Sequence, residues 1–359
     1  MFKWTQLDLA SRARCVLLWC AVTLCISPMV GGWLVDHCPL HIRNPEVATT
    51  VSLWKKANPR PDILLLGSSR LGYFVRTDEL AALTKEKHSG NIFNASLLAG
   101  EPIAIEFLTR LLLASENGIP RLAILETSPD LLMRNNVYFE FVITRQLTET
   151  DLPKYMREIL LSHTSISRLL SSRLIPFFRH RHELLKWAAE TARYRSELET
   201  LQIDGSQSAG RYGNSFQGDR DRSERSTVPM AERISTGTHR FESHLRNYQI
   251  AGGTSAAFES TVAMLQARGC FIVLLEPPLP SAQRALFTTE IQRQFNAFLQ
   301  RLQNVYGCEF VDYSDRLPDT LFVDNHHAGN AGSLAFTELL AREIVIPMWR
   351  NLDKEEPHQ

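Results

Sequence analysis

The chain has 359 residues, its 39 lysines and arginines balance 39 aspartates and glutamates, and 44% of it is hydrophobic. That length can bury a sizeable core, as one enlarged domain or two small ones. Zero formal charge removes any whole-chain electrostatic case for a nucleic-acid partner, and the six cysteines show no metal-ligand spacing.

In chain order, residues 1–14 read as a cytoplasmic tail and 15–34, which carry no charge, as a transmembrane anchor of about 20 residues, long enough for a bilayer core. Cys15, Cys20 and Cys25 fit there as small membrane residues. Lys3, Arg12 and Arg14 precede the run and Asp36 and His37 follow it, so the positive-inside rule places the tail in the cytoplasm and the bulk of the chain on the extracytoplasmic side. A cleaved leader is the competing reading, although no clear Ala-x-Ala site follows. Residues 35–58 are expected to be a connector, and 59–352 a folded domain with an insert at about 138–238.

Ile63-Leu64-Leu65-Leu66 is a short apolar run with the pattern of a buried parallel strand, ending in Gly67-Ser68-Ser69-Arg70. Such a turn lifts a hydroxyl into the crevice where open α/β sheets bind ligands, which makes Ser69 the candidate nucleophile. A helix from Thr77 to Leu83 follows, then a strand at 91–95 and a helix from Pro102. A third strand at 121–125 runs into Glu126-Thr127-Ser128. Residues 138–201 read as helical. Within them, 167–187 interleave Arg168, Arg173, Arg179, Arg181 and Lys186 with large apolar residues, suited either to core packing or to anionic headgroups. Residues 205–235, polar and nearly free of large apolar side chains, are expected to be a mobile surface loop.

Order resumes with a helix over 254–267, a strand at 271–275, a helix over about 283–305 and a strand at 310–311. Cys270 and Cys308 each follow a glycine and open a strand, so a disulfide or two free buried thiols are both open. Asp324-Asn325-His326-His327 then precedes the last helix. Asp-x-x-His can put a carboxylate behind an imidazole, and this spacing selects His327 over His326 as the base. Asp324, His326 and His327 also have metal-ligand chemistry, but no fourth ligand is evident. Alternating strands and helices favour a three-layer α/β/α domain around a five-stranded parallel sheet.

The pairing of Gly67-Ser68-Ser69 with Asp324-x-x-His327 resembles the SGNH, or GDSL-like, hydrolase superfamily, with Ser68 at the usual aspartate position. The Gly-Ser-Ser variant beside an apolar amino terminus looks most like the branch of extracytoplasmic acyl-transfer proteins that serve teichoic acid D-alanylation and alginate O-acetylation. The resemblance implies a flavodoxin-like fold and catalysis by Ser69, His327 and Asp324 without metal or cofactor. It implies an acylated glycan or other acyl donor as substrate, and a membrane-bound O-acyltransferase as possible partner. It places Gly100, alternatively a plain turn glycine, as the second-block oxyanion donor, with Asn94 bonding across that turn. The third-block asparagine is missing, so Ser128 or a backbone N–H would have to replace a donor worth about 2.7–4 kcal/mol. Arg70 would meet an anionic substrate or pack. The function implied is a serine O-acyltransferase or acylesterase on cell-envelope polysaccharide; the alternative is a non-catalytic glycan-binding or accessory partner of a multi-pass acyltransferase.

Overall fold

The computed structural model describes residues 9–37, 44–85, 91–115, 118–134, 139, 147–148, 151–161, 163–174, 181, 185 and 213–355. The chain divides into two compact units, Met1–Pro45 with Glu140–Asp204 and Glu46–Phe139 with Gly205–Gln359.

The larger unit is α/β. Its five strands, β1 (Ile63–Leu66), β2 (Ile92–Asn94), β3 (Leu122–Glu126), β4 (Phe271–Glu276) and β5 (Glu309–Asp312), form one sheet in the order β2-β1-β3-β4-β5. Every pairing is parallel, with Leu65 opposite both Asn94 and Ile124. Apolar runs become central strands because both faces are covered. Leu64 and Leu66 pack with Trp54, Leu108, Phe258 and Phe295 on one face, whereas Ile63 and Leu65 pack with Phe74, Leu80, Phe336 and Leu340 on the other. This is the arrangement of a three-layer α/β/α domain. Chain direction across the sheet reverses between β1 and β3, which opens a crevice at their carboxyl ends.

The helices of this unit follow the expected order with differences that have local causes. Residues 45–56, expected as connector, form α2 (Pro45–Lys56), because Val47, Thr50 and Trp54 recur on one side and bury there. Next come α3 (Ser69–Phe74), α4 (Thr77–Thr84), α5 (Pro102–Leu113) and α6 (Pro129–Leu132). In the smaller unit lie α1 (Leu9–His37), α7 (Leu152–Leu161) and α8 (His163–Leu174). The mobile loop expected over 205–235 is corrected over its described part: α9 (Gln217–Glu224) and α10 (Met230–Leu245) occupy it, and Phe216, just ahead of α9, is buried. After α11 (Gly252–Gln266), the helix expected over 283–305 is two, α12 (Ser281–Arg284) and α13 (Thr289–Tyr306), since Thr288 caps the second by accepting from the Ile291 N–H. The final helix, α14 (Asn330–Leu340), continues through a π-turn at Ala341–Val345 into α15 (Ile346–Glu355).

The apolar segment 15–34 lies within α1, but among the described residues no helix is long and apolar enough to cross a membrane. Thr23, Ser27, Pro28, Gly31 and Gly32 interrupt its apolar run. Cys270 and Cys308 are free and buried in the same core cluster, and the Cys270 thiol donates to the Pro120 carbonyl at 2.9 Å instead of bonding to sulfur.

Candidate active site

The chain leaves β1 at Leu66, passes Gly67 and starts α3 at Ser69, with Ser68 as its cap. Far along the chain, Val323 N–H donates to His327 C=O at 2.9 Å, and a bridge between Phe322 and Ala328 closes the loop that carries Asp324 to His327. Within that loop Asp324 Oδ1 accepts the backbone N–H groups of His326 (2.9 Å) and His327 (2.8 Å), a turn that only a short acceptor side chain makes.

The two segments meet. Ser69 Oγ lies 2.9 Å from His327 Nε2, and His327 Nδ1 lies 2.8 Å from Asp324 Oδ2. A carboxylate oxygen can only accept, so Nδ1 carries the proton and Nε2 presents its lone pair to the serine hydroxyl. Burial pushes the Asp324 carboxyl up, but the charges of His327 and His326 and the N–H bonds they donate outweigh it, and the group sits well below the usual carboxylate range. It therefore stays ionised behind the imidazole.

His326 does not reach the serine. Its Nδ1 donates to Asn325 Oδ1 at 2.9 Å. Burial, reinforced by the charges of His327 and Arg70, depresses it to about 3, so it is neutral. Asp324, His326 and His327 offer metal-ligand atoms within 4.8 Å of one another. Both Asp324 oxygens and both His327 nitrogens are already committed to the bonds above, and a cation there would have to break the serine–histidine–aspartate relay.

Three expected oxyanion residues have other duties. Gly100 N–H is donated to Leu97 C=O at 3.0 Å. Its lack of a side chain matters instead for packing, because a Cβ would stand 2.8 Å from the Gly67 carbonyl. Asn94 accepts from Ser96 N–H at 3.0 Å and donates to Thr77 Oγ1 at 3.3 Å. Ser128 Oγ accepts from Arg70 at 2.8 Å, and the Arg70 guanidinium is buried against Asp130 at 2.7 Å, so it packs rather than facing a ligand. Asn135 and Asn136, close enough after the third strand in sequence to stand in for the missing third-block amide, lie outside the described residues.

Sequence reasoning missed Glu126, Tyr73, Phe216 and Phe241. Glu126, at the end of β3, is fully buried and accepts from Ser68 N–H at 2.6 Å and Ser68 Oγ at 2.9 Å. Burial raises its carboxyl, against the opposing charge of Arg70 and the hydrogen bonds from Ser68. The Tyr73 ring stacks on His327, centroids 4.2 Å apart and 30° between planes, and Phe216 packs on Tyr73 in turn. Phe241 of α10 lies against His326, with centroids 5.7 Å apart. These aromatics pack against the two imidazoles, directly or through Tyr73. Only Tyr73 carried a usable signal, its place one helical turn after Ser69. No family model matches the chain, and no curated protein matches its sequence.

Proposed function

We propose that this chain is an extracytoplasmic serine O-acyltransferase or acylesterase of SGNH type acting on cell-envelope polysaccharide. The observation that carries the reading is the continuous relay from Ser69 Oγ to His327 at 2.9 Å and from His327 to Asp324 at 2.8 Å, at the crevice end of a parallel sheet. Such a relay serves one chemistry above others, attack of an activated hydroxyl on a carbonyl.

Ser69 Oγ attacks the acyl carbonyl carbon while His327 Nε2 takes its proton. Asp324 fixes the imidazole tautomer and stabilises the cation that forms. The oxyanion is received by the backbone N–H of Ser69, in the first turn of α3, where no intrahelical acceptor exists. Collapse breaks the bond to the leaving alcohol, which departs with the proton from His327. A glycan hydroxyl or water then gives its proton to His327 and attacks the acyl carbon; the acyl–Oγ bond breaks and His327 returns the proton to Ser69.

The polysaccharide, the glycan or acyl donor and the membrane-bound O-acyltransferase partner rest on the resemblance of Gly67-Ser68-Ser69 and Asp324-x-x-His327. The single-pass anchor and the extracytoplasmic location rest on residues 15–34 with Lys3, Arg12 and Arg14 ahead of them. The second reading, a non-catalytic glycan-binding or accessory partner, is favoured by the engaged N–H of Gly100 and the absence of a third-block amide. Labelling by an active-site serine phosphonate, compared between the parent and Ser69→Ala with both shown folded, separates the two. The enzyme reading expects label that depends on Ser69; no such label supports the accessory reading. Mass analysis of envelope glycans with and without His327 then distinguishes transfer from hydrolysis.

A further inference from the structure

We infer that Glu126 is the positioning residue of the nucleophile turn, engaging the backbone donors on either side of Ser69 so that the Ser69 N–H alone is left for the oxyanion; this rests on Ser69 being the nucleophile. At the start of a helix four N–H groups have no intrahelical acceptor, here those of Ser68, Ser69, Arg70 and Leu71, since the first helical bond runs from Gly72 N–H to Ser68 C=O at 3.1 Å. Glu126 Oε2 accepts from Ser68 N–H at 2.6 Å and Leu71 N–H at 3.3 Å. Arg70 N–H goes to Ser68 Oγ at 3.0 Å, and that hydroxyl donates its own hydrogen to Glu126 Oε1 at 2.9 Å. Ser69 N–H is the one of the four without an acceptor among the described residues.

The site is built for a carboxylate. An ionised carboxylate only accepts and has room for several donors, which matches the three it receives here from Ser68 and Leu71. Gly67 makes the approach possible, because a Cβ at that position would stand 2.6 Å from Glu126 Oε2. Arg70 supplies the nearby positive charge, its Nε 3.9 Å from Glu126 Oε1 while its far end pairs with Asp130 at 2.7 Å. Glu126 is the last residue of β3 and Ser68 follows β1, so the contact lies where the strand order reverses and ties the nucleophile turn to the neighbouring strand. Glutamate thus stands where the resemblance expects an asparagine that donates to the oxyanion, and it acts from behind the turn, by holding a backbone donor in place.

The test is the rate of Ser69 phosphonylation by an aryl alkylphosphonate, resolved into a maximal rate and a half-saturating concentration, in the full chain. Glu126→Ala is expected to lower the maximal rate about 100-fold, the scale of one misplaced oxyanion donor. Its half-saturating concentration should change little, and label should still reach one per chain at long times, whereas a partly unfolded population would label fast and incompletely. Glu126→Gln, which keeps an acceptor oxygen for the two N–H groups, should recover to within about tenfold of the parent. Should Glu126→Ala fail to fold, Ser68→Ala decides: it removes only the hydroxyl between Glu126 and Arg70 N–H and should slow labelling about tenfold. A parent-like maximal rate in Glu126→Ala, or in Ser68→Ala where that variant decides, overturns the inference and leaves the nucleophile intact. A parent whose label does not depend on Ser69 overturns the nucleophile, and the inference with it.

Discussion

Two carboxylates stand near Ser69, one through the His327 imidazole and one through the turn that carries the serine, and they differ in almost every physical respect. Asp324 is partly exposed, with 28% of its side chain accessible, and its oxygens are spent on an imidazole and two backbone N–H groups. Glu126 is wholly buried, and its oxygens are spent on the turn that carries the serine. Neighbouring imidazoles hold the first below its usual range, whereas burial pushes the second above it. The same carboxylate group thus holds an imidazole at the loop of 324–327 and a backbone turn at the end of β3, and the difference lies in which donors surround it.

That contrast can be broken one group at a time. His327→Ala should have the largest effect, a fall in aryl ester turnover on the order of 10⁴-fold or more with the fold retained, read by steady-state kinetics beside circular dichroism. Asp324→Asn should leave the geometry in place yet cost up to about 10⁴-fold, because an amide can hold the imidazole in the wrong tautomer. Behind β3 the expected loss is of stability: Asp130→Ala strips the buried Arg70 of its 2.7 Å partner and should cost about 3–5 kcal/mol in denaturant unfolding.

Glu276, at the end of β4, sharpens the comparison through pH. Burial, with Asp312 and Asp130 adding, pushes its carboxyl up to about 9, while in the unfolded chain it ionises near an ordinary value of about 4.3. Between those values the folded state binds the extra proton, so stability is fully present below the unfolded value and is lost as pH rises toward the folded one, by at most about 1.4 kcal/mol per pH unit. Glu276→Gln should therefore melt higher than the parent by a margin that grows from pH 6 to pH 8.5 in thermal unfolding; a constant margin would refute the assignment. The smallest effect is expected at His326→Gln. A neutral ring bonded to Asn325 should be worth less than about tenfold in turnover, which separates it from its neighbour.

What could be read from the sequence follows from how local each signal was. Ile63 to Leu66, Leu122 to Leu125 and Phe271 to Leu275 announced buried strands because their apolar runs are unbroken. Ser69, Asp324 and His327 were legible because turn chemistry and Asp-x-x-His spacing are local. Glu126 was not, since its partners lie 58 residues earlier and a buried carboxylate looks, in sequence, like any strand-end glutamate. Gly100 stayed open between an oxyanion donor and a plain turn glycine, because a glycine between Ala99 and Glu101 reports close approach but not which group approaches; here its N–H closes a turn onto Leu97 C=O and the nearby group is the Gly67 carbonyl. Residues 217–224 were hidden because α9 is almost wholly polar, so its placement depends on the flanking Phe216 rather than on any periodic stripe.

The Ser69–His327 contact is the point on which the enzyme reading turns, and it is tested most directly by mapping a phosphonate adduct on the intact chain by fragment mass spectrometry. One adduct is expected, on Ser69, formed at a rate that falls at least 100-fold in a folded His327→Ala. An adduct on another residue, or the same rate on Ser69 without the imidazole, would contradict that reading.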